Sequence, residues 1–364
     1  MIVVVGAGAA GLAVARQLQR RSLHAVVLDE GSSGHVWTSH YDSLRLHTPK
    51  GASGLPDRPM PHHYATFPAA HAVRDYLEGY RRRFALEVHE GVGVTHAGWD
   101  GLGWTLATSA GETHADVLVA ATGVASAPVW SPIEGLDRFE GTVLHSCQYQ
   151  NPVPFLGQEV LVVGAGNSGC EIAVELARAG VTVSISVRGG AVFVPRTRSA
   201  IALQMGAFLM RNLPRPAANH LYEWFSTDFP ELGLPQPPGP RIEHYPVVGF
   251  ELPHAVRDRT VSTVGEVDRF DGDAAKFRDG RRRRFDTVIL ATGFRPALDW
   301  LDGSQLSLGD SGTPRVDRYW RSVLNPRLSL VGYVYPPTEG WLQGIARVAR
   351  GAARGIDLTV RDAP

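Results

Sequence analysis

The run Ile2-Val3-Val4-Val5 followed by Gly6-Ala7-Gly8-Ala9-Ala10-Gly11 decides the fold at the start of the chain. Four successive apolar, β-branched residues predict a strand buried on both faces, as in a parallel sheet. The three glycines allow a tight turn, a close approach of the backbone to a pyrophosphate, and close packing of the next helix on the strand. That helix would begin with free N–H groups and the positive end of its dipole, both of which favour phosphate. The stretch therefore predicts a strand–turn–helix that binds a dinucleotide.

The same pattern returns in the middle of the chain. There Val160-Leu161-Val162-Val163 precedes Gly164-Ala165-Gly166-Asn167-Ser168-Gly169. A single GxGxxG turn can be purely structural, whereas two turns in the same strand–turn–helix context favour two dinucleotide sites.

The residue at the end of the next strand distinguishes the two turns. Glu30 follows Gly6 by 24 residues, and Arg188 follows Gly164 by the same 24. An acid suits an unphosphorylated ribose, whereas the guanidinium fork suits a ribose 2′-phosphate. The first turn is therefore predicted to bind FAD and the second to bind NADPH.

A further internal similarity supports two nested modules. Asp116-Val117-Leu118-Val119-Ala120-Ala121-Thr122-Gly123 resembles Asp286-Thr287-Val288-Ile289-Leu290-Ala291-Thr292-Gly293, and each octapeptide is a hydrophobic strand closed by Ala-Thr-Gly. The sequence predicts an α/β fold with two nested Rossmann-like domains, the NADPH domain being inserted in the FAD domain as in glutathione reductase. The predicted FAD domain is 1–152 and 287–364, and the predicted NADPH domain is 153–286, with a hinge at Asn151-Pro152-Val153-Pro154.

Composition excludes several classes of protein. The 364 residues carry 36 basic and 36 acidic side chains, are 44% hydrophobic and include two cysteines. Neutral charge disfavours a nucleic-acid or anionic-lipid protein, and two cysteines build neither a disulfide scaffold nor a four-cysteine metal site. No apolar run reaches the ~20 residues that span a bilayer, and the N-terminus lacks a signal-peptide pattern. A soluble, cytoplasmic protein without a metal site is expected.

Three segments stand apart from the two modules. Ser199 to Asn212 is apolar and predicts a helix, for which a core or subunit contact is favoured over a membrane anchor, and a homodimer is left open. Arg211 to Pro253 is proline-rich and predicts an irregular excursion without an assigned function. Arg281-Arg282-Arg283-Arg284 follows the hairpin signal Asp279-Gly280, and a solvated strand is favoured over nucleic-acid binding.

The segment before the second GxGxxG turn resembles a family fingerprint. Phe139-Glu140-Gly141-Thr142-Val143-Leu144-His145-Ser146-Cys147-Gln148-Tyr149 resembles the FxGxxxHxxx[YF] pattern of flavin-containing monooxygenases. Tyr149 stands where the related Baeyer–Villiger monooxygenases characteristically have Trp. The stretch from Tyr41 to Lys50 is similar to a segment of the plant indole-pyruvate monooxygenases, and Ala291 to Pro296 also resembles a family motif. The resemblance covers nearly the whole chain and is strongest to short bacterial members.

This resemblance implies a particular chemistry. In the family, NADPH reduces FAD, the reduced flavin adds O2 to form a C4a-(hydro)peroxyflavin, and a small nucleophilic substrate takes one oxygen atom. A sulfide or an amine is the favoured substrate. The cofactor performs the difficult step, so the protein needs little acid–base work and must position the rings and exclude water.

The resemblance also implies roles for individual residues. His47, Arg45 and Asn167 are the candidate catalytic residues, although His47 stands where several relatives carry an Asn near flavin and nicotinamide, and a packing role is equally open. His145 is expected to fix the interdomain linker. Gly332, Gly340 and Trp341 are expected to lie near the flavin. The predicted cofactor-binding residues are Gly6, Gly8, Ala10, Gly11, Glu30, Trp37, Arg45, Leu46, His47, Val92, Thr122, Gly123, Gly164, Gly166, Asn167, Ser168, Gly169, Arg188, Thr292, Gly293, Gly332 and Trp341.

Other functions fit the same two nucleotide modules. A disulfide reductase would need a paired-cysteine motif, and Cys147 and Cys170 lie 23 residues apart in other motifs, which disfavours that chemistry. Baeyer–Villiger oxygenation of ketones and oxidative decarboxylation of a 2-oxo acid remain alternatives. A non-oxygenating oxidase or redox-sensing accessory protein linked to cation transport is a further alternative.

Overall fold

The chain folds into two compact units, each built around a five-stranded parallel sheet. This computed structural model describes residues 1–309, 312–333 and 341–361. The predicted α/β class with two nested dinucleotide-binding modules is confirmed. Both units are discontinuous in sequence. The first comprises 1–38, 48–127 and 294–364, and the second comprises 39–47 and 128–293.

The unit boundaries differ from the predicted domain boundaries of 152/153 and 286/287. Residues 128–152 and 287–293 join the second unit, as does the short segment 39–47. The reason is strand pairing, because Thr142–His145 and Thr287–Leu290 are adjacent parallel strands of that unit's sheet. Composition and proline content near residue 152 do not reveal this pairing.

The first unit has the predicted N-terminal strand at its centre. Val3 and Val4 are fully buried, as expected for a strand covered on both faces. The strand is followed after the glycine turn by the first helix, which packs on the last helix of the chain. From edge to edge the sheet is β20 (Leu328–Leu330), β7 (Val117–Ala120), β1 (Ile2–Val5), β2 (Ala25–Asp29) and β3 (Val88–Glu90), with helices α1 (Ala9–Gln19), α2 (Ala70–Arg83) and α7 (Trp341–Arg361).

The second unit repeats this construction. Its central strand is again the one before a glycine turn, and Val160, Leu161 and Val162 are fully buried. From edge to edge its sheet is β14 (Val261–Val264), β11 (Thr182–Ser186), β10 (Glu159–Val163), β18 (Thr287–Leu290) and β9 (Thr142–His145), with helices α3 (Asn167–Arg178), α4 (Ala200–Asn212), α5 (Arg215–Phe225) and α6 (Glu251–Arg257).

Smaller sheets complete each unit. The first unit carries an antiparallel sheet, and the second carries an antiparallel sheet and a two-stranded parallel one. Two further short strands, β8 (Ala127–Pro128) and β19 (Phe294–Arg295), lie at the points where the chain passes from one unit to the other. The smaller sheets are β4 (Val94–Trp99), β5 (Trp104–Thr108) and β6 (Gly111–Ala115); β15 (Val267–Asp271), β16 (Ala274–Phe277) and β17 (Arg282–Arg284); and β12 (Phe193–Val194) with β13 (Val247–Val248).

The four successive arginines of the hairpin form ion pairs. Arg281 pairs with Asp279 and Arg283 pairs with Glu159. The other two pair with Asp271, the last residue of β15, and with Asp273 in the turn that follows it. Each positive charge therefore has an acidic partner within the chain. The predicted solvated strand agrees with these contacts.

The segment predicted as an irregular excursion contains a helix. The predicted helix over Ser199 to Asn212 is present as α4, with Ser199 as its N-cap. Helix α5, Arg215–Phe225, lies inside the proline-rich stretch, because Pro216 falls in the first turn, where proline costs no hydrogen bond. Within the described ranges, no helix combines the length and apolar character that crossing a bilayer requires.

Candidate active site

The two outer glycines of the first turn are required by the close packing of the surrounding backbone. Gly6 has φ +109°, and a β-carbon there would lie 2.5 Å from the carbonyl oxygen of Ala121. A β-carbon on Gly11 would lie 1.9 Å from the carbonyl oxygen of Gly6. Neither position accepts a side chain, because the strand, the turn and the helix approach each other through backbone alone.

The middle glycine of this turn faces open space. Gly8 is the N-cap of α1 in an extended conformation, and no heavy atom lies within 4 Å of the position of its β-carbon. No side chain caps the N-terminus of α1 and no acid lies in its first turn. A helix N-terminus of this kind accepts a phosphate, so the turn fits a nucleotide pyrophosphate. Ala10 is buried in that first turn.

A buried carboxylate that was not predicted from the sequence organises the turn. Asp29 accepts a hydrogen bond from the backbone N–H of Ala7 at 2.5 Å and from that of Gly31 at 2.8 Å. His35 lies 3.1 Å from the same carboxylate. The neighbouring Glu30 directly follows β2, and its side chain is 80% exposed. The signal for Asp29 was its place directly before Glu30 at the end of the strand.

The second turn repeats the geometry of the first. Gly164 has φ +111°, and its β-carbon would lie 2.5 Å from the carbonyl oxygen of Ala291. The β-carbon of Gly169 would lie 2.0 Å from the carbonyl oxygen of Gly164. Gly166, the N-cap of α3, again faces open space, and α3 also lacks a side-chain cap. This turn therefore fits a second pyrophosphate.

The amide of Asn167 is engaged by the chain. Its Nδ2 donates to the carbonyl oxygen of Pro246 at 2.8 Å, and its Oδ1 accepts from the N–H of Val248 at 3.0 Å. The candidate catalytic side chain therefore holds the strand Val247–Val248 against the start of α3. Arg188, predicted to bind the 2′-phosphate, is exposed just beyond the carboxyl end of β11.

A carboxylate on α3 collects several side chains of the second unit. The hydroxyl of Tyr41 donates to Glu171 Oε2 at 2.5 Å, and Nε2 of His47 lies 2.8 Å from Oε1. Arg196 lies 3.6 Å from the same Oε1 and 3.4 Å from Glu251. Burial raises the pKa of Glu171, but the contacts with His47, Tyr41 and Arg196 outweigh it and leave the pKa below its ordinary value.

The predicted flavin-side segment is thus placed with the second unit. His47 is a partner of Glu171, Leu46 is half-buried and Arg45 is exposed. Ser168 hydrogen-bonds to Tyr41 from the first turn of α3. Trp37 belongs to the first unit, in a short 3-10 helix.

The Ala-Thr-Gly corners form hydrogen bonds within their own units. In the first unit, Thr122 donates its N–H to the hydroxyl of Tyr333 at 3.0 Å, and Gly123 has φ +93°. Tyr333 is buried and was not predicted from the sequence. In the second unit, the hydroxyl of Thr292 donates to Val129.

The remaining predicted residues are placed as follows. Val92 donates its N–H to the carbonyl oxygen of Asp29 at 2.8 Å. Gly293 has φ +90°, and Gly332, the second residue after β20, has φ +93°. Trp341 is the first residue of α7. Gly340 lies outside the described residues.

His145 has the contacts of a structural residue. Its ring is fully buried at the end of β9, its Nδ1 accepts from the N–H of Cys147 at 3.3 Å, and its Nε2 donates to the carbonyl oxygen of Gly293 at 3.1 Å. Burial lowers the pKa of His145, so the neutral ring is favoured. These bonds join the fingerprint strand to the second Ala-Thr-Gly corner.

The two cysteines are separate thiols. Cys147 is half-buried and Cys170 is buried, with its thiol donating to the carbonyl oxygen of Ala165. Burial raises the pKa of both, which disfavours the reactive thiolate. Within the part of the chain that the structure describes, no three His, Cys, Asp or Glu side chains are grouped to hold a metal ion.

Comparison with known proteins agrees with this arrangement. A family model described as pyridine nucleotide-disulphide oxidoreductase matches residues 3–205. Indole-3-pyruvate monooxygenase YUCCA6 of Arabidopsis thaliana is 32% identical over 373 residues, which is 95% of this chain and 88% of the relative. YUCCA1 of Oryza sativa subsp. japonica is 33% identical over 99% of this chain and 92% of the relative. The solved flavin-containing monooxygenase from Stenotrophomonas maltophilia is 28% identical, with a TM-score of 0.78 over 99% of this chain and 98% of that chain.

The two nucleotide turns and these likenesses define the class of protein. The chain belongs to the pyridine nucleotide-disulphide oxidoreductase family and, within it, to the flavin-containing monooxygenases. It is an oxidoreductase, and the cofactors of this class are FAD and NADPH. The resemblance drawn from the fingerprint segment is confirmed.

Proposed function

We propose that this protein is an NADPH- and O2-dependent monooxygenase that oxygenates a small nucleophilic substrate, with a sulfide or an amine as the first candidate. The observation that carries this proposal is the pair of equivalent glycine turns. In each, the protein excludes a side chain at the outer glycines and leaves space at the middle one. Two such turns supply one site for a reductant and one for the cofactor that it reduces.

The first turn is proposed to hold FAD. Gly8 and the N-terminus of α1 would face the pyrophosphate, and the exposed Glu30 would accept hydrogen bonds from the ribose. The buried Asp29 would support this site, because it accepts hydrogen bonds from the backbone N–H groups of Ala7 in the turn and of Gly31 beside Glu30.

The second turn is proposed to hold NADPH. Gly166 and the N-terminus of α3 would face the pyrophosphate, and Arg188 would pair with the 2′-phosphate. Asn167 contributes by holding residues 246–248 beside this turn, so its role is one of positioning. Glu171 holds His47 and Tyr41 against the same helix, which keeps the segment from residue 39 to 47 next to the NADPH turn.

Bound flavin supplies the redox chemistry, since reduction by NADPH prepares it to activate dioxygen. The chain's own residues bind, orient and shield. His47 and Arg45 remain proposed contacts of the reacting rings, and the pairing of His47 with Glu171 favours a fixed ring orientation for that purpose.

A second candidate substrate class is a 2-oxo acid, which would be oxygenated with loss of its carboxyl group. It is favoured by the likeness, above 30% identity and over most of the chain, to plant enzymes named indole-3-pyruvate monooxygenases. A carboxylate substrate needs a cationic contact, and the exposed Arg45 is the candidate within the family-like segment.

Steady-state and rapid-mixing assays test the proposal. FAD-loaded protein should oxidise NADPH faster in the presence of a sulfide, an amine, a ketone or a 2-oxo acid, with one oxygenated product formed per NADPH. Rapid mixing of the reduced protein with O2 should give a flavin–oxygen adduct that NADP⁺ prolongs. Formation of hydrogen peroxide alone with every substrate class would refute oxygenation and support the oxidase or sensor alternative.

A further inference from the structure

Helix α4 is apolar on the side that faces away from its own unit. Its inner residues Ala207 and Met210 are buried, and Met210 belongs to a small core with residues of α5. The opposite side carries large apolar side chains at helical spacing. Those exposed residues are Ile201 (72%), Met205 (57%), Phe208 (56%) and Leu209 (41%).

This outer face lacks the polar character of a surface helix. A helix on a globular protein normally places charged and polar side chains toward water. Helix α4 has no charged residue before Arg211, and it has 13 residues, too few to span a bilayer. On the next helix, Trp224 is 85% exposed. Contiguous exposed apolar surface of this kind marks an interaction site.

The charge around the helix indicates what the face contacts. Residues 198–215, which span α4 and its two flanks, contain three arginines and no aspartate or glutamate, although the whole chain is neutral. Arg198 precedes α4, Arg211 lies in its last turn and Arg215 follows it, and all three are exposed. Arg215 pairs with Glu243 but keeps most of its side chain in solvent. Apolar side chains bordered by arginines fit an apolar surface that carries negative charge.

We propose that the outer face of α4, defined by Ile201, Met205, Phe208 and Leu209, docks the protein reversibly on an anionic lipid surface. The apolar side chains would enter the boundary between headgroups and acyl chains, and the flanking arginines would contact lipid phosphates. A second copy of the chain fits less well, because a two-fold contact through this face would bring its arginines close to their own symmetry mates. The inference is independent of which substrate the enzyme oxygenates.

Sedimentation with vesicles tests this proposal. FAD-loaded protein is mixed with vesicles of phosphatidylcholine plus phosphatidylglycerol, and separately with vesicles of phosphatidylcholine alone. Binding to the anionic vesicles is expected, with weaker binding at high salt and little binding to the neutral ones. Phe208→Glu should weaken binding by roughly tenfold or more, because it places a negative charge in the centre of the apolar face.

A matched control uses a different exposed leucine. Leu102 is 84% exposed in the first unit, so Leu102→Glu makes a similar change of charge away from α4 and should leave vesicle binding unchanged. Flavin content and the rate of NADPH oxidation report that both variants are folded. The proposal is overturned by wild-type protein that ignores anionic vesicles or by equal effects of the two substitutions. It is also overturned if Phe208→Glu dissolves a dimer, seen by light scattering, without any vesicle binding in the wild type.

Discussion

Removing the charge of either of two glutamates one turn apart on α3 should affect stability differently. Glu171 has its pKa lowered, whereas burial raises the pKa of Glu175 above its ordinary value. Tyr41 donates to the first carboxylate and Tyr149 to the second. Replacing each glutamate by glutamine keeps the size and one acceptor oxygen for the tyrosine, removes the charge and turns the other oxygen into an NH2 donor. The pair Glu171→Gln and Glu175→Gln therefore compares the same chemical change at the two positions.

Glu171→Gln should destabilise the protein at pH 7. The substitution removes the charge that His47 and Arg196 contact, at 2.8 and 3.6 Å. A hydrogen bond to a charged group contributes about 1.5–3 kcal/mol, and the Arg196 contact is long. Because the side chain of Glu171 is 25% exposed and partly screened, a loss of about 1–3 kcal/mol is expected.

Glu175→Gln should be neutral or stabilising at the same pH. The raised pKa means that the folded state disfavours the charge of this carboxylate. Burial is the main cause, and hydrogen bonds from Ser43 and Tyr149 offset only part of it. Glutamine removes that unfavourable charge and keeps an acceptor for Tyr149. The expected change is within about 0.5 kcal/mol of zero or in the stabilising direction.

The dependence on pH follows from the sign of each shift. Because the pKa of Glu171 is lower in the folded state, its ionised carboxylate stabilises the fold at pH values above the ordinary glutamate pKa. This stabilisation is lost as the pH falls through the folded pKa. The difference between wild type and Glu171→Gln should therefore shrink below about pH 4.5. For Glu175 the protonated form favours folding, so that contribution is present at low pH and is lost as pH rises through the folded pKa.

Urea titrations followed by circular dichroism at several pH values measure these differences. The midpoint is compared among wild type and the two variants, each loaded with FAD. A variant Glu171→Gln as stable as wild type at pH 7 would refute the account of the Tyr41–His47–Glu171 cluster. So would a larger loss for Glu175→Gln than for Glu171→Gln.

Three other substitutions test the cofactor turns and the fingerprint strand. Gly8→Ala should lower the FAD content with little loss of stability, because its β-carbon enters the open space proposed for the pyrophosphate. Flavin absorbance per mole of protein measures this, and a variant with full flavin content would contradict it. Arg188→Ala should raise the KM for NADPH about tenfold more than that for NADH, since a charged hydrogen bond is lost; equal increases in steady-state assays exclude the proposed contact. His145→Ala should lower the Tm, by roughly 2–4 °C for each kcal/mol lost from the free energy of unfolding, because the bond to Gly293 is lost. The rate of flavin reduction in rapid mixing should be nearly unchanged, and a selective loss of that rate would make His145 a direct participant.

The sequence predicts the two turns well because their determinants are local. Gly6 and Gly11 are fixed by contacts with residues of the same strand–turn–helix and of the adjacent strand. Strand burial, the glycine spacing and the position of Glu30 all follow from one continuous stretch. A short pattern of this kind is readable without knowledge of the rest of the fold.

Residues that act through distant partners were not predictable in the same way. Tyr333 meets Thr122 across 211 positions, and Glu171 meets Tyr41 across 130. Neither pair has a spacing that marks it before the sheets are assembled. The unit boundary at residue 128 has the same cause, since β9 joins the second sheet by pairing with a strand that follows it by well over a hundred residues.

The electron acceptor is what separates the enzymes that share this fold. A disulfide reductase passes electrons from flavin to a pair of cysteines close enough to form a bond. This chain has two cysteines, both free, and burial disfavours the thiolate at each. The thiol of Cys170 is buried and donates to the carbonyl oxygen of Ala165 in the second glycine turn, where a dithiol relay has no second sulfur. Reduced flavin in this protein therefore lacks a protein disulfide to reduce, which favours dioxygen as the acceptor and agrees with the monooxygenase relatives over the reductase branch of the family.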